Sequence, residues 1–66
     1  MKVTKSEQGA ATIRFTDEEL YILNNALNEV CNGLDVQDFS TRMGAEREEA
    51  SDLLAQINQL LKVKEM

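Results

Sequence analysis

Histidine, proline and tryptophan are missing from this 66-residue chain, and cysteine occurs once. Without histidine the commonest general base and the commonest metal-binding ring are gone. With Cys31 alone, no disulfide can close within the chain, and no zinc site of the usual nitrogen and sulfur donors can be completed. No glycine-rich phosphate loop and no calcium-type loop of alternating oxygen donors can be found. A chain this short also has little material with which to enclose a pocket. These absences argue against an enzyme, a metal site, a cofactor and a small-molecule substrate. No run of about 18 apolar residues is present, so no membrane span is expected. Met1 to Gly9 contains no apolar segment of signal-peptide type. Together with the lone thiol, that makes a reducing cytoplasm the expected location.

What is present is acidic: 12 carboxylates against 7 cations, a net charge of -5. Affinity for nucleic acid rests largely on cations meeting phosphates. The balance therefore favours a protein partner, basic or neutral, over DNA or RNA. Size matters as well. A domain this small buries only about 60% of its unfolded surface. Its core rarely supplies more than roughly 3–5 kcal/mol. Without disulfide or metal, the remaining routes to stability are unusually good helix packing and oligomerisation.

The expected fold is mainly α. A short N-terminal strand is followed by a compact three-helix bundle. Residues 1–10 form a flexible or partly ordered N-terminal segment, and 11–66 form a single small helical domain. Ala11, Ile13 and Phe15 alternate with Thr12, Arg14 and Thr16, the period of a half-buried strand. A single strand cannot satisfy its own backbone groups. Its mate is either residues 2–6, folded back through Gly9 as a hairpin, or the same strand of a second molecule. In the second case Thr12, Ile13, Arg14 and Phe15 form a dimer strand.

The first helix has a clear start. In Thr16-Asp17-Glu18-Glu19, the Thr16 hydroxyl can accept from Glu19 and the Glu19 carboxylate can reach back, as in a capping box. Leu20, Leu23, Leu27, Val30 and Cys31 line its apolar side, and Gly33 is the expected left-handed stop. Cys31, on that apolar side, reads as a small buried hydrophobe. Asp35 is placed to cap a short second helix over Val36–Met43, closed by Gly44. The final helix begins near Glu46. Ala50, Leu53, Leu54, Ile57, Leu60 and Leu61 form its stripe, the dominant pattern of the whole chain.

Three groups could carry function. Tyr21, Asn24, Asn25, Asn28 and Asn32 fall on one side of the first helix at about 100° per residue. Asparagine is a mediocre helix former, so four of them on one face are unusual for a plain solvated surface. Tyrosine is enriched at interfaces. The face therefore reads either as a neutral hydrogen-bonding surface for a partner or as amides that tie down loops. Glu46, Glu48, Glu49 and Asp52 form an acidic start to the last helix, suited to a basic partner or simply to solvent.

The third group is the helix pair about Gly44. With Phe39 and Met43 inside one helix, small Ser40 between the two, and Ala50 and Leu53 inside the next, the stretch resembles a helix-turn-helix motif. That resemblance implies a dimeric DNA-binding regulator with Arg42 and Arg47 near the phosphates. The residues opening the would-be recognition helix, Glu46, Arg47, Glu48 and Glu49, are the wrong chemistry for base edges. The leading expectation is a small, non-catalytic, acidic interaction protein. By analogy with small acidic bacterial proteins, it would serve as an adaptor, inhibitor or immunity-type protein. The alternatives are the DNA-binding regulator and a chain that associates only with itself.

Overall fold

The computed structural model describes residues 1–65. Two strands, β1 (Lys2–Glu7) and β2 (Ala10–Arg14), precede a helix α1 (Asp17–Asn28), a wide helical turn (Glu29–Gly33), a short helix α2 (Phe39–Met43) and a long helix α3 (Arg47–Glu65). The strands pair antiparallel, with Val3 opposite Ile13 and Glu7 opposite Ala10, and the register slips between Val3 and Lys5. The mate of β2 is thus the segment folded back at Gly9, whose φ of 84° suits a residue without a Cβ. Across the slip, the Thr4 hydroxyl donates to the Thr12 carbonyl at 3.1 Å.

The strand is not half-buried as its alternation predicts, because every residue of the hairpin is exposed. The backbones of the hairpin approach each other and little else, while α1, the wide turn and α3 pack together. The chain is correspondingly drawn out. Its radius of gyration is 13.2 Å, against about 11 Å for a compact domain of this length.

α1 starts as its sequence dictates. The Thr16 hydroxyl accepts from the Glu19 amide at 3.2 Å, and the Glu19 carboxylate accepts from the Thr16 amide at 2.9 Å. Its end differs from expectation. After Asn28 the chain widens into a π-type turn, closed by the Leu34 amide donating to the Glu29 carbonyl at 2.8 Å. Gly33 is not left-handed; its missing side chain leaves room for the Glu29 carboxylate, which would lie 2.7 Å from a Cβ.

The second helix is also shorter than Val36–Met43. Asp38 adopts φ 51°, a left-handed conformation that breaks the helix before Phe39. Aspartate is among the few non-glycine residues that take up this conformation readily. Asp35 therefore caps nothing. Gly44 does close α2, with φ 73° and its amide donating to the Ser40 carbonyl at 2.9 Å. The five-residue α2 and the 19-residue α3 form the helix-turn-helix-like pair.

The core is small. Leu20, Cys31, Phe39, Ala50, Leu54 and Leu61 are buried at 5–8% exposure, and no side chain among the described residues is fully enclosed. Cys31, Phe39, Ala50 and Leu54 form its centre, flanked by Leu27, Val30 and Val36. At the far end α1 meets α3 through polar ties. Lys64 Nζ lies 2.9 Å from Asp17 Oδ1, and the Tyr21 hydroxyl donates to Glu65 Oε1 at 2.8 Å. The two helices therefore run antiparallel.

Candidate interaction surface

Antiparallel packing assigns each face of α1. Leu20, Leu27 and Cys31 turn towards α3. Asn24 lies in the same row, at spacings of four and three from Leu20 and Leu27. It is half-buried, and its Oδ1 is enclosed with no hydrogen-bond partner among the described residues. The asparagine face is accordingly divided. Asn24 points into the helix pair, whereas Tyr21, Asn25 and Asn28 lie outside it.

Part of that outer face is already engaged. Asn32 Nδ2 donates to Asn28 Oδ1 at 3.0 Å. The Tyr21 hydroxyl is held by Glu65, and this hydrogen bond, more than partial desolvation, pushes its ionisation above the ordinary phenol value. Asn25 is fully available.

The acidic opening of α3 is exposed throughout. Glu49 has a structural task, accepting from the Glu46 amide at 3.1 Å and so capping the helix start. Glu48 and Asp52 form no ion pair among the described residues. No three acidic, cysteine or histidine side chains among the described residues converge as a metal site would require. No helix among them is long and apolar enough to cross a membrane.

The two arginines of the helix-turn-helix pair differ. Arg42 is exposed and borders a shallow cleft with Leu34, Asp35, Val36 and Gln37. Arg47 is committed internally: its Nη1 donates to the Cys31 carbonyl at 3.0 Å, and its guanidinium lies 4.5 Å from the Phe39 ring centroid. That stacking and hydrogen bond tie the start of α3 to the core. In the hairpin, Thr12, Ile13 and Arg14 pair with the folded-back strand, and Phe15 is half-buried at its exit.

A further surface emerges that the residue groups above do not include. Ile22 is 67% exposed, Leu53 49% and Leu60 45%, with Leu23 and Met43 also open. On α3, Ala50, Leu54, Ile57 and Leu61 form the row towards α1, and Leu53 and Leu60 flank it on one side. Leu27, Met43, Ala45, Ala50 and Leu53, together with Glu49, line one mainly apolar cleft, and Met1, Phe15, Ile22 and Leu23, together with Glu19, line a second. Leu23 and Leu27, one turn apart on α1, border the second and the first cleft respectively, whereas Ile22 falls on the side of α1 away from α3, about 160° from Leu20. The cause of the open flank of α1 and α3 is the brevity of α2. Five helical residues extend about 7.5 Å, whereas the 19 of α3 extend about 28 Å. α2 covers one end of the flank and leaves the rest bare.

Neither a protein-family model, nor a curated protein, nor a solved structure matches this chain.

Proposed function

We propose that this chain is a small, non-catalytic protein-interaction module working in a reducing cytoplasm, and that its contact surface is the open flank of α1 and α3. The carrying observation is the exposure of Leu23, Leu53 and Leu60 beside six buried residues among those described. A chain with so small a core gains more by burying its apolar side chains in that core. Leaving several on one flank is the mark of a surface that another protein covers. The acidic opening of α3 and the free part of the Tyr21–Asn28 face border the helix pair as a polar rim. An adaptor, inhibitor or immunity-type role fits such a module.

A DNA-binding regulator has less support. Of the two cations that would serve it, Arg47 is held by the Cys31 carbonyl and the Phe39 ring, and carboxylates surround it in sequence. Site-specific photo-crosslinking in cells tests the interaction reading. A photoreactive residue at Leu53 or Leu60 is expected to give covalent protein adducts, and one at Asn25 few. Absence of any protein adduct from the flank overturns the reading.

A further inference from the structure

We infer that the occupant of this flank is a second copy of the chain, with the two α3 helices packed antiparallel about a two-fold axis at the Gln56–Ile57 midpoint. The inference rests on the flank being a protein-binding surface and names the partner.

Its basis is the symmetry of α3. At about 100° per residue, Glu49, Leu53, Leu60 and Lys64 fall within one sector about 60° wide. Glu49 and Lys64 are equidistant from the point between Gln56 and Ile57, and so are Leu53 and Leu60. A single two-fold axis crossing α3 there sets Leu53 of one copy on Leu60 of the other, twice. It also sets Glu49 beside the other copy's Lys64, twice. The pattern is apolar at its centre and oppositely charged at its ends, which is self-complementary in that orientation alone. Parallel α3 helices would put Glu49 on Glu49. Lys64 already meets Asp17 at 2.9 Å, and an ammonium has donors left for a second carboxylate.

Shape agrees. α2 stands over one end of the flank and leaves the other bare, so antiparallel copies place each α2 towards the other's open end. Two helix rows about 10 Å wide and about 25 Å long give roughly 500 Å² per copy, about 1,000 Å² in all, the lower bound for a specific interface. A chain of 66 residues without a disulfide gains from a dimer what its small core cannot provide alone.

The register is open to a covalent test. In the double variant Leu53→Cys/Leu60→Cys, the two thiols of one chain are seven residues, about 10.5 Å, apart along the helix and cannot bridge internally. Cys31 is buried and stays out of the reaction. Mild oxidation of the full-length chain is expected to give a disulfide-linked dimer, read by non-reducing electrophoresis and intact mass. Leu53→Cys alone places its thiols just as far apart across the axis and is expected to remain unlinked.

A charge test accompanies it. Glu49→Gln, whose side-chain oxygen can still accept from the Glu46 amide, is expected to weaken association severalfold by removing both attractions. Linking by the single variant as readily as by the double, no linking at all, or association unchanged in Glu49→Gln overturns the inference. Flank adducts from the photo-crosslinking that contain only other proteins would also overturn it, while leaving the interaction reading in place.

Discussion

Asn24 shows how one residue sets the tolerance of the helix pair. Its amide occupies a position between Leu20 and Leu27 where the neighbouring row is apolar, and its Oδ1 has no donor among the described residues. A buried acceptor without a partner costs about 1–3 kcal/mol relative to one in water. Asn24→Leu is expected to stabilise the chain by about 1 kcal/mol, seen as a higher urea midpoint with an unchanged slope. A lower midpoint would mean that the amide has a partner the helix pair does not supply.

Glu19 makes a second prediction at this scale. The Met1 ammonium first, and the Thr16 amide next, hold its carboxyl below the usual range. A carboxyl depressed in the folded state contributes stability above its unfolded value of about 4.3 and loses it as pH falls through the lower folded value. The melting temperature of the wild type should therefore fall more steeply below about pH 4.3 than that of Glu19→Gln. Parallel curves would contradict the assignment. Neither residue's environment was fully legible beforehand. The Glu19 cap follows from four adjacent letters, whereas Asn24's inward turn depends on which side of α1 meets α3, and α3 is distant in sequence.

At the scale of elements, the glycines and Asp38 define how the helices stop. Gly44 takes a left-handed φ of 73°, so Gly44→Ala should cost about 1 kcal/mol. Gly33 does not, and the atoms nearest to a Cβ there belong to the flexible end of the Glu29 side chain, so Gly33→Ala should stay within about 0.5 kcal/mol of neutral. Asp38 carries a left-handed φ of 51° with a side chain, so Asp38→Gly should stabilise by up to about 1 kcal/mol. Thermal or urea denaturation of the three variants gives the signs directly. If Gly33→Ala cost as much as Gly44→Ala, the π-type ending of α1 would be wrong.

The sequence reading of these elements succeeded where the signal is local. The capping box at Thr16, the Gly44 stop and the long α3 are all encoded within a few residues. It missed the widened turn at Glu29–Gly33, because a glycine after an apolar helix signals a left-handed stop just as well as it signals a close approach. It overextended α2, because nothing in Val36-Gln37-Asp38 marks the reversed backbone at Asp38. The burial of β2 was misjudged for a different reason. Alternation shows that a strand has an apolar side, not that anything covers it.

For the whole molecule, the decisive quantity is how little is enclosed. The residue groups chosen for function from sequence were polar, and the structure divides them: Arg47 and Glu49 have internal tasks, Asn24 faces inward, and Asn28 pairs with Asn32. The surface that stands out is made largely of leucines, Leu23, Leu53 and Leu60, that their spacing places in the core. Its signal was present in the width of the α3 stripe. Six apolar positions exceed what one neighbouring helix covers, and only Ala50, Leu54 and Leu61 of them are buried. Recognising the excess required knowing that α2 is too short to cover it.

The most direct measurement is the molar mass in solution of the wild type and of Leu53→Glu, by light scattering across a dilution series. The wild type is expected at twice the 7.4 kDa of one chain when concentrated, falling towards one chain on dilution. Leu53 is half-exposed, so Leu53→Glu should keep the helical spectrum of the wild type and remain at 7.4 kDa throughout. A wild type that stays at the mass of one chain at every concentration, or a Leu53→Glu variant that dimerises as the wild type does, would contradict the account.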